Sequence, residues 1–251
     1  MEDEDLRRAW QKEEKENFKG WDFSHLEGVI KDEPLPWNYK DIVKKYLKKE
    51  YKLLDMHTGG GEFVLSLNHP YKNTYVTEGW KPNVKLCIEK LSPLGINVYE
   101  ANNDNNLPFK DNFFDIIINR HGHFDIKEIR RILKPKGLFI TQQVGEKNNE
   151  NLSKKLIRDF NSKYTNHNLK NISKEIKESF FDILYKEEYF PYLRFYDIKA
   201  IVYFAKIIKW EFPDFSVEKC FERLKEINQE IRKKQYFESV QHRFIIVARK
   251  D

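Results

Sequence analysis

Lys52-Leu53-Leu54-Asp55-Met56-His57-Thr58-Gly59-Gly60-Gly61-Glu62-Phe63 decides how this chain folds. The apolar pair Leu53-Leu54 ends in an acid, Asp55, and a run of glycines begins shortly after it. Glu62-Phe63-Val64-Leu65 then opens a helical pattern. Strand, tight turn and helix in direct succession bring backbone N–H groups and a helix N-terminus to the carboxyl end of a strand. Open α/β sheets bind their ligands at such a place. Glycine suits the turn because it tolerates positive φ and lets a ligand approach the backbone with no Cβ in the way.

Outward from this stretch, strand and helix patterns alternate. Upstream, Asn38 is placed to cap a helix with Ile42, Val43, Tyr46 and Leu47 on one face. It leads into a strand over Tyr51 to Asp55. Downstream, Phe63, Val64 and Leu67 give the next helix its buried side, and Thr74 to Glu78 is a β-rich run ending in an acid. Pro82 opens a helix with Val84, Cys87, Ile88 and Leu91 inward, and Gly95 follows as its C-cap. Ile96 to Ala101 reads as a third strand. Phe114 to Asn119 is a continuous apolar run of the kind buried on both faces of a parallel sheet. Ile126, Ile129, Ile132 and Leu133 form a further helix, Lys134 to Gly137 a turn, and Leu138 to Val144 a fifth strand. Right-handed crossovers put the carboxyl ends of these strands on one rim. Asp55, Glu78, the loop at Asn103, Arg120 and Gly145 should therefore converge.

The last hundred residues are less regular. Leu152, Leu156, Ile157 and Phe160 suggest a helix, Asn161 to Asn171 a loop, and Phe181 to Tyr189 a sixth strand. Ser216 is placed to cap a long helix with Val217, Cys220, Phe221, Leu224, Ile227 and Ile231 inward. Phe244 to Ala248 is a final strand. The expected fold is α/β: a doubly wound, mostly parallel seven-stranded sheet, its last strand antiparallel, with helices on both faces. Residues 1–37 read as an N-terminal extension that begins with a charged, solvated helix or a frayed arm. Trp21-Asp22-Phe23 and Leu35-Pro36-Trp37 follow as aromatic anchors, to pack on the body or line a pocket, packing being favoured. Residues 38–251 form the main domain, with 190–237 either a helical cap over the ligand crevice or a packing layer. In that cap, Tyr192, Tyr196 and Tyr203 are candidates to orient a substrate in an apolar pocket.

Composition narrows the function classes. Of 251 residues, 40% are hydrophobic and 15% aromatic, enough for a core and too many for a disordered chain. The net charge of +5 is a small excess of 45 basic over 40 acidic residues and does not by itself imply a nucleic-acid partner. Cys87 and Cys220 fall in different helices and form no metal or redox motif. No metal-ligand cluster is expected, because the pair His121 and His123 lacks a companion carboxylate at a suitable spacing. No nucleophile elbow supports a Ser–His–Asp arrangement. The charged N-terminus has no apolar signal segment, and no apolar run reaches membrane-spanning length. A cytoplasmic protein without membrane contact is expected.

Three kinds of glycine loop compete for the opening stretch. A phosphate-binding P-loop ends in Gly-Lys-Ser/Thr, which Gly61-Glu62-Phe63 lacks. A dinucleotide fingerprint needs G-x-G-x-x-G, but Val64 occupies the last glycine position, and Glu62 would sit beside a pyrophosphate. The third kind binds S-adenosylmethionine. Residues 51–145 resemble the class I S-adenosylmethionine-dependent methyltransferases. The resemblance rests on Leu54 to Gly61, Thr77-Glu78-Gly79, Leu107-Pro108-Phe109, Phe114-Asp115 and Leu133 to Gly137, in the family's order and spacing. It covers over a third of the chain.

The resemblance implies specific roles. Asp55 organises the turn and accepts from the methionine ammonium, and His57, Thr58, Gly59 and Gly61 line the cofactor. Glu78, beside Gly79, accepts both ribose hydroxyls, a carboxylate having two oxygens for two donors. Asn103 and Asp104 meet the adenine edge, and Arg120 lies near the sulfonium. The family commonly has glycine where this chain has His57, and an acid where it has Asn103. The expected reaction is methyl transfer from S-adenosylmethionine, leaving S-adenosylhomocysteine, with no metal. Catalysis is chiefly by alignment. Arg120, His121 and His123 are the catalytic candidates, the histidines as bases for an acceptor that must lose a proton. A small-molecule acceptor is favoured. RNA is the alternative, through Lys154, Lys155, Arg158 and Lys163, and a cofactor-binding protein without catalysis is a third reading.

Overall fold

A computed structural model describes residues 2–18 and 23–251 of the chain. Trp21 and Asp22, two of the expected aromatic-anchor residues, lie outside the described residues. The chain forms two compact units, interleaved along the sequence.

The larger unit comprises Pro36–Val144, His167–Glu188 and Phe244–Asp251. The smaller comprises Met1–Leu35, Gly145–Asn166 and Tyr189–Arg243, and its first strand is β1 (Ile30–Asp32). The larger unit's sheet takes β2 (Leu53–Met56), β3 (Thr74–Glu78), β4 (Asn97–Glu100), β5 (Phe114–Arg120), β6 (Leu133–Val144), β7 (Phe181–Tyr189) and β10 (Arg243–Lys250). Their order across the sheet is β4-β3-β2-β5-β6-β10-β7. The pairs β2–β3, β3–β4, β2–β5 and β5–β6 are parallel, and the sheet is mostly parallel with one antiparallel strand. Each of the seven expected strands has its counterpart here. The final strand of the chain lies inside the sheet, between β6 and β7.

The sequence runs outward from β2 through β3 to β4, then returns to β5 on the other side of β2. The carboxyl ends of β2 and β5 are thus the switch point at which such sheets bind ligands. Register sets which residues meet there. Met56 pairs with Thr77 and with Asn119. One step further along lie His57, Glu78 and Arg120.

Five α-helices belong to this unit: α2 (Tyr39–Tyr46), α3 (Glu62–Ser66), α4 (Lys81–Leu91), α5 (Ile126–Ile132) and α7 (Leu169–Glu178). Asn38 caps α2 by accepting from Asp41 N, and Asp125 caps α5 by accepting from Lys127 N and Glu128 N. Leu54, Phe114, Ile117, Ile129, Phe139 and Ile246 are fully buried in the core. Each contributes about 1.5–3 kcal/mol by leaving water. Two local expectations change. Ile88, expected inward on α4, is half exposed, while Val84, Cys87 and Leu91 are buried. Lys134 to Gly137, expected as a separate turn, belongs to β6, where the pairing with β5 shifts register and Lys136 takes φ 63°.

The smaller unit contains α1 (Asp3–Glu14), α6 (Glu150–Leu156), β8 (Tyr192–Phe195), α8 (Ile198–Ile207), α9 (Val217–Lys234) and β9 (Phe237–Val240). Strands β1, β8 and β9 form an antiparallel sheet in that order. Residues 190–237 are therefore not purely helical. Helix α9 matches its pattern: Ser216 accepts from Lys219 N, and Val217, Cys220, Phe221, Leu224, Ile227 and Ile231 are all buried. Helix α1 is not simply solvated, because Trp10 is buried with its ring 5.4 Å from that of Phe221. Among the described residues no helix is long and apolar enough to cross a membrane.

Candidate active site

The turn after β2 is built on left-handed backbone. His57, Gly59 and Gly61 take φ of 56°, 64° and 80°. Gly61 also has no room for a side chain, since a Cβ there would lie 2.7 Å from Leu91 Cδ1. Thr58 N donates to Thr77 O and Gly61 N to Thr58 O, each at 3.1 Å, which closes the turn against β3. Helix α4 holds it from the side. Cys87 Sγ donates to Gly59 O at 3.0 Å and Lys90 Nζ to Gly60 O at 3.2 Å. Burial, with help from Glu78, pushes the Cys87 thiol up to about 12, so it is a packing group rather than a nucleophile. Sequence reasoning missed this clamp, although Cys87 and Lys90 stand three residues apart on one helix and share a face.

Two buried carboxylates flank the turn. Asp55 accepts from Thr58 Oγ1 at 2.7 Å. Burial raises its pKa to about 6, although the Thr58 bond, Arg120 and His57 pull the other way. Glu78, only 6% exposed, accepts from Gly59 N (2.9 Å) on one oxygen and from Gly79 N (2.9 Å) and Trp80 N (3.0 Å) on the other. This one side chain joins the end of β3, the glycine turn and the start of α4.

The Asp55 shift has a testable consequence. Above pH 6 the carboxylate is ionised in both the folded and the unfolded chain, and the folded state bears the burial penalty of about 3 kcal/mol. That penalty fades as pH falls from about 6 to about 4. Asp55→Asn keeps an oxygen for Thr58 without the charge. Its unfolding free energy in urea at neutral pH is expected to exceed the parent's by about 1–3 kcal/mol, with the advantage gone near pH 4. A variant less stable than its parent at neutral pH would refute this account of the acid.

Arg120 is exposed and its guanidinium lies 4.9 Å from the Phe63 ring centroid. The Phe63 ring also lies 5.1 Å from that of Tyr39, whose hydroxyl donates to the carbonyls of Asn119 (3.1 Å) and Ile140 (3.3 Å). His121 takes φ 63° and its N donates to Gln142 O. Its Nε2 lies 3.2 Å from Gln142 Nε2, while Gln142 Oε1 accepts from Trp37 Nε1. Trp37 is thus an anchor on this unit, as its sequence suggested. Behind the rim, Gln143 Nε2 donates to Asn119 Oδ1 and Thr141 Oγ1 in a buried network that nothing in the sequence announced.

The third acid is Asp104. Its Oδ1 lies 3.0 Å from His57 Nε2 and its Oδ2 2.9 Å from His123 Nδ1. The two imidazoles hold its carboxyl below the usual carboxylate range, against burial. The companion carboxylate missing near His121 and His123 in the sequence therefore comes from the loop after β4. Asn103 is exposed and accepts from Asn105 N at 3.1 Å. Among the described residues no group of three or more His, Cys, Asp or Glu side chains could hold a metal ion.

The three candidate tyrosines lie in the smaller unit and have different environments. Tyr192 is half-buried under the Arg194 guanidinium, at 4.1 Å, and Tyr196 is exposed. Tyr203, expected in a pocket, is 2% exposed inside the core cluster, and its hydroxyl donates to Asn17 O at 3.2 Å. It is a core residue.

The methyltransferase domain family model matches residues 54–141, the segment from β2 to β6 that carries these acids and the turn. Over that segment the chain carries a methyltransferase domain. Solved structures share the fold of this chain at low identity. YcgJ from Bacillus subtilis is 16% identical, with 84% of this chain and 97% of that one covered and a TM-score of 0.57. A putative methyltransferase from Bacillus halodurans is 16% identical, covering 85% and 98%, at 0.55. A functionally unknown protein from Deinococcus radiodurans is 14% identical, covering 88% and 91%, at 0.59. No curated protein sequence matches the chain.

The donor set suits the family's cofactor. The turn gives close access to backbone, as Gly59 and Gly61 require, and the acids Asp55, Glu78 and Asp104 suit a ligand carrying a sulfonium and an ammonium.

Proposed function

We propose that the methyltransferase acts on a small-molecule acceptor and binds S-adenosylmethionine at the rim formed by the ends of β2, β3, β4 and β5. The observation that carries this reading is the meeting of Asp55, the glycine turn and Glu78 in one hydrogen-bonded cluster within the matched segment. Gly59, Gly61 and Thr58 admit the cofactor to the backbone, with His57 beside them. Asp55 faces its ammonium. Glu78, next to Gly79, faces the ribose, Asn103 and Asp104 the adenine, and Arg120 the methionine end. When bound, the cofactor supplies a methyl group on a sulfonium, already a strong electrophile. The residues then have to orient the acceptor and exclude water. For an acceptor that loses a proton, we assign His123 as the base: its Nδ1 is held by Asp104, which leaves Nε2 free to take the proton. His121, tied to Gln142, is the weaker candidate.

Calorimetry with S-adenosylmethionine and S-adenosylhomocysteine tests the cofactor site. Both are expected to bind. Folded protein that binds neither would end this reading.

The charge pattern supports a small molecule over RNA. Basic side chains pair along their own helices: Arg8 with Glu4, Lys154 with Glu150, Lys174 with Glu178 and Lys234 with Glu230. Lys155, one of the residues expected to meet RNA, pairs with Glu230. Binding to total RNA is expected to be lost at about 0.15 M salt. RNA affinity that persists there would reverse the choice of acceptor.

A further inference from the structure

His57, Asp104 and His123 come from the loops after β2, β4 and β5, three separate places on the rim. Strands β4 and β5 are not neighbours, since β3 and β2 stand between them. The carboxylate of Asp104 therefore reaches across the ends of β3 and β2 to meet the two imidazoles. Its side chain is only 11% exposed, while that of His123 is 79% exposed. The His57 ring also lies on the loop after β5: a Cβ on Gly122 would come within 2.6 Å of His57 Cδ2. A glycine at 57 would leave this space open. The imidazole fills it, and does so from a left-handed backbone that glycine adopts without strain.

We propose that His57 is a positioning residue that sets cofactor affinity: with His123 it holds Asp104 across the switch point, and S-adenosylmethionine enters only when the His57–Asp104 half of that bridge releases, with Asp104 kept on His123. The proposal rests on the reading of this rim as the cofactor site. A ligand running from the glycine turn to the loop at Asn103 and Asp104 crosses the ground that the imidazole holds.

Charge decides how firmly the bridge closes. His57 is faced by Asp104 first, with Glu78 adding to the pull; Asp55 also feels its charge, and Arg120 acts on Asp55 from the opposite sign. His123 shares Asp104. Burial works against the imidazolium, but the Asp104 bond and charge prevail, so its pKa is raised above the ordinary histidine value. A protonated His57 holds Asp104 by an ion pair, a neutral one by a hydrogen bond alone. Release of the bridge returns the imidazole pKa toward its ordinary value. Binding then expels a proton, and affinity rises with pH through the interval between the bound and free values, levelling above the free one.

The test is calorimetric titration with S-adenosylhomocysteine between about pH 5.5 and 8.5, in two buffers of different ionisation enthalpy. The wild-type protein is expected to gain affinity by up to about tenfold per pH unit within the titrating interval, with net proton release. His57→Gly is expected to bind more tightly than the wild type at the acid end, with little pH dependence. Asp55 titrates in the same window and is unchanged in the variant, so any residual slope measures its share. His57→Gln retains a donor for Asp104 without a charge. It should bind with intermediate affinity and release no more protons than His57→Gly, a result that a merely structural role for the imidazole does not produce. Affinity that is flat with pH in the wild type, or weakened in His57→Gly at every pH, overturns the proposal. If none of the folded proteins binds at any pH, the cofactor site itself is wrongly placed and the proposal falls with it. If only His57→Gly binds, the bridge is a complete block in the wild type and the proposal stands.

Discussion

Glu78→Ala is expected to lower the unfolding free energy by about 3–6 kcal/mol and to abolish measurable binding of S-adenosylhomocysteine. Sequence reasoning alone leads to a milder expectation, in which an acid at a strand end is lost without harm to the fold. The hydrogen bonds change that expectation. The carboxylate receives the N–H groups of Gly59, Gly79 and Trp80, and it is almost fully buried. Alanine leaves all three donors without their acceptor, and an orphaned buried donor costs about 1–3 kcal/mol. Water entering the space would bring the loss toward the lower end of the range. Glu78→Gln separates the two roles. Its single carbonyl oxygen can still serve Gly79 and Trp80, while its amide cannot accept from Gly59. It should lose about half as much stability, keep the fold, and still bind the cofactor product at least tenfold more weakly. Urea unfolding and calorimetry on the folded variants check both. Native-like stability together with unchanged affinity in Glu78→Ala would show that neither the clamp nor the ribose contact depends on this acid.

The same residue shows where sequence stops being informative. That Glu78 ends a strand on the binding rim follows from TYVTE and from the alternation around it. Three backbone donors converging on its two oxygens depend on the relative placement of β3, the turn and α4, which no local pattern encodes. The seven strands of the larger sheet were legible because each is an apolar, β-rich or alternating run bounded by turn or helix signals. Helix α9 was legible because its apolar residues keep one face for about four turns, from Val217 to Ile231. Strands β1, β8 and β9 were not: each is three or four residues long and lies outside the regular strand–helix alternation that marks the equally short β2 and β4. Ile88 was misplaced because it stands next to Cys87 at the edge of the apolar stripe, where one more step around the helix reaches solvent. Asp104 lies 47 residues from His57 and 19 from His123, so their contact depends on the strand order and not on spacing.

Tyr203→Ala is expected to destabilise the protein by about 3–5 kcal/mol, comparable to removal of a large aromatic from a core. An apolar segment punctuated by tyrosines suggested a ligand pocket, and the segment is indeed more apolar than a solvent-facing helix. The apolar residues of α8 are instead spent on packing. Ile198, Ala200, Ile201, Val202 and Ala205 are buried together with Tyr203, which accounts for a pattern that covers more than one face. The Tyr203 ring lies 6.4 Å from Phe18 and 4.3 Å from His25, and the Lys206 ammonium sits 4.6 Å from its centroid. Truncation opens a cavity among these groups, and Asn17 O loses its donor. Tyr203→Phe removes only that hydrogen bond and should cost about 1 kcal/mol. Tyr196→Ala, at an exposed position, should change stability by less than about 0.5 kcal/mol. The three variants, unfolded side by side in urea, therefore predict a steep order of loss: Tyr203→Ala far above Tyr203→Phe, and Tyr196→Ala near zero. If Tyr203→Ala unfolds with its parent's midpoint, the ring does not hold the core, and the reading of this segment as a ligand pocket returns.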